Sequence, residues 1–406
     1  MRRPNKLTIP ILTRNLSEEI IISERLSSKY KRFIIGGFSR VFISRTFSFL
    51  YVLVISRLVA KALMDQMIIL ATGQLIILEL TSFAMRYSCR QRALSVSGEK
   101  SDEIRYNGVS FMLIIATPIS IILAVVLAIY VIGFVDFRLF FLFTLSMALL
   151  MIMEIELMIE KSLLAADKAI FLNMTYTVLN SILVPFLFYL SPVLESVLWA
   201  WNVSLVVTIL FDIKTIVQVL RKKDINFRTM NSLFRFGFPI YLGSLPKLFS
   251  SHINKFLIFE FLETGATSIF YWPNRILSII RETVFIVATG STLLFNRLSV
   301  IDKNRLRDGF LGLFRIIAII STVIYSWVYL DAAILIYIIL GEGYIEAILF
   351  FRLLCIAWIF SSLNTCMFNL KDAQGHRRVM VKGSLLDFSS KILLLLILIH
   401  LGLIGV

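Results

Sequence analysis

Nine basic side chains lie inside long apolar stretches of the sequence, where little water is at hand to solvate a charge. They are Arg40, Arg45, Lys247, Lys255, Arg275, Arg281, Arg315, Arg352 and Lys391. A charge at the centre of a hydrocarbon layer is costly, so such a group usually faces a polar cavity or an ionic partner. Lys and Arg donate charge-assisted hydrogen bonds to carboxylates and phosphates. The chemistry open to these residues is therefore anion binding.

Spacing within the apolar stretches sets some of these cations apart. At a rise of about 1.5 Å per residue, Arg45, Lys247 and Arg275 all fall near the middle of a membrane-spanning helix. Two polar sets also recur every four residues, which places each set on one helix face. These sets are Arg40, Ser44 and Ser48, and Lys247, Ser251 and Lys255. Charge at one depth on several helices favours a water-lined cavity.

The same cations also fit a structural interpretation, in which each pairs with a carboxylate or extends its charged end to the membrane surface. The carboxylates that could serve are Glu79, Glu154, Glu156, Glu282, Asp331 and Asp387. Asp387 and Lys391 are four residues apart, which favours a local ion pair. Arg315 and Arg352 lie near segment ends. Arg45, Lys247 and Arg275 fit the cavity interpretation better, because they lie at the same predicted depth on different helices.

Residues that could bind a metal or relay a proton are few and scattered. The cysteines and histidines have no metal-ligand spacing and no disulfide framework: they are Cys89, Cys355, Cys366, His252, His376 and His400. His252 has no carboxylate on its helix face within one turn, which favours a buried polar residue over a proton relay. We therefore expect no metal site, no cofactor and no catalytic residue.

The elements that must position these side chains are apolar segments. Hydrophobic residues make up 58% of the 406 positions, which is more than a globular core can enclose. The runs are long enough to cross a bilayer as helices, whereas a barrel would show shorter, alternating segments. Eleven segments follow at roughly 33–56, 66–85, 108–134, 139–160, 169–190, 194–213, 236–259, 265–295, 311–340, 345–370 and 384–404. We predict an all-α membrane protein.

Basic residues between the segments alternate in abundance along the chain. Loops assigned to the cytoplasm carry 29 Lys and Arg residues, and the outer loops carry three, Arg57, Lys61 and Arg138. The net charge of +15 therefore reflects cytoplasmic loops rather than nucleic-acid binding. Residues 1–32 hold eight basic side chains and a predicted amphipathic helix over 16–26. We expect a multi-pass protein of the cytoplasmic membrane with its N-terminus in the cytoplasm.

Short similar stretches occur in the same order in both halves of the chain. The pairs are RFIIGG (32–37) with FRFGFP (234–239), RALSVS (92–97) with NRLSVI (296–301), and LLAADK (163–168) with LKDAQG (370–375). Such a repeat predicts two pseudo-symmetric lobes of six helices. The predicted division is 1–32 as a cytoplasmic segment, 33–220 as the first lobe, 221–231 as a cytoplasmic linker and 232–406 as the second lobe.

The repeat also predicts a twelfth helix. Shifting 194–213 by the repeat offset places that helix at about 402–421, whereas the sequence ends at Val406. We therefore expect about eleven helices here, with the twelfth either truncated or lost.

The stretch that opens the second half resembles a known family. FRFGFPIYLGSLPKLFSSHINKFLIFEFLETGATSIFYWPNRI (234–276) is similar to the polysaccharide and O-antigen flippases of the multidrug/oligosaccharidyl-lipid/polysaccharide exporter superfamily. Gly237, Pro239, Gly265 and Tyr271 match that family's pattern around its seventh and eighth helices. SRLVAKALMDQ (56–66), LLAADK and KDAQGH resemble its loops, so the likeness extends over nearly the whole chain. Asn254 departs from the pattern, because relatives often carry an acidic residue there.

The resemblance implies a flippase that moves a polyprenyl-diphosphate-linked oligosaccharide across the membrane by alternating access of two lobes, without covalent chemistry. In the resembled fold, the first, second, seventh and eighth helices border a central cleft that is basic in glycan flippases. The substrate-binding residues that this implies are Arg40, Arg45, Lys247, Lys255, Arg275 and Arg281. Their cations can compensate a diphosphate while the lipid tail stays in the bilayer. The implied partners are this substrate, membrane lipids and a coupling H⁺ or Na⁺.

Three other functions compete with this interpretation. A cation-coupled multidrug antiporter of the same fold would use intramembrane carboxylates, for which Glu79 and Asp331 are candidates. A membrane-embedded glycosyltransferase or O-antigen ligase would need a sizeable outer loop, and all the predicted outer loops are short. A structural scaffold would not need charge at mid-depth. The flippase is favoured over all three.

The predicted orientation can be tested by cysteine labelling. Cysteines introduced at Ser191 and Gly343 should react with an impermeant thiol reagent added to intact cells, because both positions lie in predicted outer loops. A cysteine introduced at Asp302 should react only after the membrane is opened. Labelling of position 302 from outside would overturn the orientation.

Overall fold

A computed structural model describes residues 39–40, 42–96, 98–133, 136–163, 166–221, 225–281 and 303–373, together with 382–383, 385–390, 393 and 397. Every regular element in these ranges is a helix, which confirms the all-α class. The predicted surface helix at 16–26, Glu282 and Lys391 lie outside the described residues, as does most of the predicted segment 384–404.

The described residues between 42 and 373 form thirteen α-helices. They are α1 (42–58), α2 (Lys61–Ser95), α3 (Glu99–Phe111), α4 (Thr117–Ile132), α5 (Phe137–Ser162), α6 (Ala166–Leu190), α7 (Leu194–Leu210), α8 (Ile213–Leu220), α9 (Phe227–Phe261), α10 (266–281), α11 (Lys303–Leu330), α12 (Ala332–Ile339) and α13 (Ala347–Ala373). A π-helical turn, Met112–Ala116, joins α3 to α4, and a 3₁₀ turn, Glu342–Tyr344, precedes α13. Ten of the eleven predicted apolar segments overlap these helices.

Among the described residues, six helices are long and apolar enough to cross a membrane. A seventh results if α7 and α8, bent by 59° at Phe211 and Asp212, form one span. The protein is therefore a multi-pass membrane protein, and the predicted total of eleven spans stays a prediction.

Local sequence explains where the helices begin and end. Asp136 accepts hydrogen bonds from the backbone N–H groups of Arg138 and Leu139, at 3.0 and 3.3 Å, and so caps the start of α5. Asn226 caps the start of α9 in the same way. Gly133 ends α4 at a φ of 77°, a conformation that glycine adopts without strain.

The exposed and buried faces of α4 show the pattern of a helix that faces lipid. Large apolar side chains point outward, and the buried residues of the helix are Ser120, Ala124 and Ala128. Lipid gives little hydrophobic reward for burying large side chains, so small residues that allow close helix packing take the inner positions.

The long helices α2 and α9 run antiparallel and pack against each other, and we call this contact the α2–α9 seam. Gly237 of α9 lies directly against α2, because a β-carbon there would overlap the Ala84 carbonyl oxygen and the Ser88 hydroxyl. Farther along, Lys255 of α9 reaches Thr72 of α2. The seam joins the halves that the repeat predicts, and the backbones approach most closely at Gly237.

Substituting Gly237 tests this close approach. Gly237→Ala should destabilise the protein by about 1–3 kcal/mol, because a backbone carbonyl has to move to make room for the methyl group. Thermal unfolding in detergent would measure the change. Gly312→Ala is the matched control, since nothing lies within 4 Å of the added carbon there. Equal midpoints for both variants would contradict the packing.

Candidate functional site

Lys255 lies where three helices meet. Its ammonium group, on α9, lies 3.4 Å from the Thr72 hydroxyl of α2. The same nitrogen lies 5.2 Å from the centre of the Tyr271 ring of α10. A lysine held between a hydroxyl and an aromatic face keeps part of its hydrogen-bonding capacity for another ligand.

Arg275 lies one turn beyond Tyr271 on α10. Because Lys255 lies against the Tyr271 ring, Arg275 places a second positive charge about one helical turn from this contact. Tyr51 of α1 contacts Trp272 with ring centres 6.2 Å apart, and Trp272 contacts Tyr271 at 5.0 Å. We call Tyr51, Lys255, Tyr271, Trp272 and Arg275 the basic aromatic cluster.

The basic aromatic cluster carries positive charge that no described carboxylate neutralises. In the part of the chain that the structure describes, neither Lys255 nor Arg275 forms an ion pair. Two adjacent cations repel each other, and low polarity around them strengthens that repulsion. The arrangement suits a ligand with more than one negative charge, and the aromatic rings offer flat surfaces against which an uncharged part can pack.

The other predicted site residues lie at other places in the fold. Arg40 and Arg45 lie in the first helical region, and each has an interaction partner. Lys247 lies on α9, two turns before Lys255, and its side chain is outside the described set. The Arg281 guanidinium group lies 4.7 Å from the centre of the Trp358 ring of α13. The structure thus brings Lys255 and Arg275 together and directs Arg281 toward α13.

Two of the carboxylates that were candidate partners for the intramembrane cations bind another arginine instead. Arg86 forms ion pairs with Glu79 of its own helix and Glu154 of α5, each at 2.7 Å. Asp387 accepts a hydrogen bond of 3.0 Å from the Ser250 hydroxyl of α9. These contacts weaken the structural interpretation for Lys255 and Arg275, since Glu79 and Glu154 are already compensated.

A second contact between the halves lies at the end of the seam beyond Lys255. The Asp65 carboxylate of α2 accepts hydrogen bonds from the backbone N–H groups of Gly265, at 2.6 Å, and Ser268, at 2.7 Å. These groups form the start of α10, so Asp65 caps a helix in the other half. Arg57 also donates to the Ile338 carbonyl, and Lys61 lies 5.4 Å from the Tyr344 ring centre. We call these contacts of Asp65, Arg57 and Lys61 the Asp65 clamp.

Comparisons with known proteins agree with this architecture. Residues 164–349 match the family model described as polysaccharide biosynthesis protein. The structure of the lipid II flippase MurJ in an inward closed conformation superposes with a TM-score of 0.75 at 13% identity, covering 91% of this chain and 83% of that one. The Vibrio cholerae MATE transporter VcmN gives 0.57 at 16% identity, covering 94% and 92%. A MATE transporter in the bent conformation gives 0.53 at 16% identity, covering 92% and 89%.

These matches confirm the predicted resemblance to the polysaccharide and lipid-linked flippase family. The family model adds a likeness in sequence over residues 164–349, and the likeness to MurJ and to the MATE transporters shows a shared fold. No curated protein sequence matches the chain.

The flippase-like fold also contains buried carboxylates that sequence analysis did not assign to a site. Glu156 and Glu160 of α5 lie close to Asp212, and Glu156 is fully buried. Lys168 approaches Glu160 at 3.4 Å and Asp212 at 3.7 Å. Two glutamates four residues apart in an apolar helix were the available signal, and Asp212, more than fifty residues away, joins them only through folding.

The Asp65 clamp predicts how firmly α2 is held to α10. Asp65→Ala should weaken the contact between α2 and α10, because hydrogen bonds to a charged group contribute about 1.5–3 kcal/mol. A cysteine introduced at the buried Thr267 should then react about ten times faster with a soluble maleimide. This factor corresponds to a contact weakened by about 1.4 kcal/mol.

Asp136→Ala is the matched control for this prediction. Asp136 also caps a helix through two backbone N–H groups, but it caps α5, whose first residue follows it directly. Removing that cap should leave the reactivity at position 267 unchanged. A similar increase in both variants, or none in Asp65→Ala, would contradict the clamp.

Proposed function

We propose that this protein is a flippase that moves a polyprenyl-diphosphate-linked oligosaccharide from the cytoplasmic to the outer leaflet of the cell membrane, for surface polysaccharide or glycan synthesis. The carrying observation is a pair of cations at the Tyr271 ring. Lys255 lies beside this ring and Thr72, Arg275 follows one turn later on α10, and neither has a described carboxylate partner. The two lobes, 33–220 and 232–406, would alternate in access about the linker 221–231. The N-terminus would be cytoplasmic.

The charge of the substrate explains why cations are needed at this place. A diphosphate loses its hydration when it leaves water, and Lys and Arg can replace those interactions with charge-assisted hydrogen bonds. The ligand in turn relieves the repulsion between Lys255 and Arg275. The lipid tail needs no such compensation, because it can stay in the bilayer.

The aromatic part of the basic aromatic cluster suits the rest of such a headgroup. The half-buried rings of Tyr51 and Tyr271 lie next to the charges, and the buried Trp272 packs against both rings. Sugars pack against aromatic faces through their C–H surfaces while their hydroxyls bind polar groups, such as Thr72 beside Lys255. A glycan joined to a diphosphate would thus find both kinds of contact.

The comparisons support this substrate class without deciding it. MurJ is named a lipid II flippase, and the family that matches residues 164–349 is described by polysaccharide biosynthesis. Flipping breaks no covalent bond, so the proposed residues bind and release without acting as catalysts. A gradient of H⁺ or Na⁺ would supply the driving force.

The charge pair can be tested by substitution. Lys255→Ala and Arg275→Ala should each lower the glycan that reaches the outer leaflet by about tenfold or more, because each loses a charged contact to the headgroup. Surface glycan and the amount of membrane-inserted protein should be measured together. The same loss is expected for Arg45→Ala and Lys247→Ala if these residues share the site.

Arg352→Ala is the matched control, since it removes an apolar-segment cation that lies 5.6 Å from the Tyr329 ring in another part of the fold. It should leave flipping near normal. Arg275→Lys should retain part of the activity, because it keeps the charge and loses the bidentate geometry. Undiminished flipping in the Lys255 and Arg275 alanine variants, at normal protein levels, would sink the proposal.

A cation-coupled multidrug antiporter is the second candidate function, and the buried group Glu156, Glu160 and Asp212 favours it. Buried carboxylates that exchange a proton or Na⁺ for a drug are what such a transporter needs. Reconstituted vesicles separate the two functions. A lipophilic cationic dye driven out by a proton gradient, with no movement of lipid-linked glycan, would favour the antiporter.

A further inference from the structure

A second concentration of positive charge lies at the opposite end of the α2–α9 seam. A cavity of about 420 Å³ opens there between the end of α2 and the first turns of α9. Its lining residues are Arg92, Arg228, Asn231, Ser232, Arg235 and Phe236. We call this cavity the arginine pocket, and it contains three guanidinium groups and no carboxylate.

Helical spacing explains why one face of α9 supplies most of the pocket. Asn231 and Ser232 each lie three or four residues from both Arg228 and Arg235, so the four side chains project from the same side of the helix. Arg92 approaches from α2 and completes the pocket. It donates a hydrogen bond of 2.6 Å to the Ser232 hydroxyl and lies 4.8 Å from the Phe236 ring centre.

Nearby acidic groups are occupied elsewhere. The Glu103 carboxylate of α3 accepts hydrogen bonds from the Asn226 amide, at 3.2 Å, and the Thr229 hydroxyl, at 3.0 Å. Within the described ranges, no ion pair involves the side chain of Arg228 or Arg235. The positive end of α9 adds to the positive potential of the pocket.

The geometry points to a binding site in the arginine pocket for the phosphate group of a lipid headgroup, separate from the basic aromatic cluster. Arg235 and Lys255 are twenty residues apart on α9, which is about 30 Å along a helix. Arg235 lies directly before the predicted apolar segment 236–259, so the predicted topology places it at the depth where headgroup phosphates lie. Arg228 and Arg235 alone offer about ten N–H donors, roughly five each, which suits a phosphomonoester or diphosphate.

A bound headgroup would also have a structural effect. It would bridge Arg92 of α2 to Arg228 and Arg235 of α9, and so stabilise this end of the α2–α9 seam. The site does not depend on which substrate the basic aromatic cluster moves, so a failed flipping assay and a failed binding assay can be told apart.

Binding measurements on the purified full chain test the site. Native mass spectrometry in neutral detergent would give dissociation constants for phosphatidic acid, which carries a phosphomonoester, and for phosphatidylcholine as the zwitterionic control. Calorimetry with inorganic pyrophosphate tests whether the pocket binds a free phosphate instead of a lipid headgroup. The double variant Arg228→Gln/Arg235→Gln should bind phosphatidic acid at least about tenfold more weakly, a loss of about 1.4 kcal/mol.

Lys214→Gln/Arg221→Gln is the matched control. It removes two exposed basic side chains, one in α8 and one just after it, and so lowers the net charge by the same amount as the pocket variant. Thermal unfolding of both double variants verifies that each is folded. The variant Arg228→Lys/Arg235→Lys, which keeps both charges, should retain most of the affinity for phosphatidic acid. Loss of phosphatidic acid binding in the pocket variant alone supports the headgroup site. Equal loss in both double variants, unchanged binding in the pocket variant, or a response to pyrophosphate only, would overturn it.

Discussion

The close antiparallel contact of α2 with α9 is the constraint on which the rest of this structure depends. In lipid, helices gain little from burying apolar surface, so association relies on tight packing and on polar contacts between helices. Gly237 allows the backbones to meet at Ala84. The same alignment then brings Lys255 to Thr72 at one point and Arg92 to Ser232 at another.

The basic aromatic cluster shows what this contact makes possible. Lys255 and Arg275 would be costly beside each other in an apolar protein interior, and a structural role would call for a carboxylate between them. The first half does contain such an arrangement, where Arg86 binds both Glu79 and Glu154. The contrast between a compensated arginine and an uncompensated pair in one fold is the physical reason to assign the pair to an anionic ligand.

The sequence was sufficient to predict the all-α class and the resemblance to the polysaccharide flippase family, and insufficient to predict which side chains contact each other. Apolar runs and the Gly-x-Pro entry at Gly237 are local signals, so the fold class could be read from them. The partner of a charged side chain depends instead on the rotation of its helix against another. That is why Arg281 was grouped with Arg275, although the structure turns it toward Trp358. Asp65 was missed for the same reason, since its partners, Gly265 and Ser268, are about two hundred residues away.

The two ends of the α2–α9 seam are held by contacts of similar and modest strength. At one end, Asp65 binds two backbone N–H groups of α10. At the other, Arg92 binds Ser232, and Glu103 binds Asn226 and Thr229. A few polar contacts contribute only a few kcal/mol in total, so a ligand that adds or removes one charged interaction can change which end is closed. Extensive apolar packing at both ends would be far harder to reverse, because many dispersion contacts would have to break together. Exchangeable polar contacts thus lie at both ends, and the proposed binding cations Lys255 and Arg275 lie between them, nearer the Asp65 clamp. The proposed alternating access would require this arrangement.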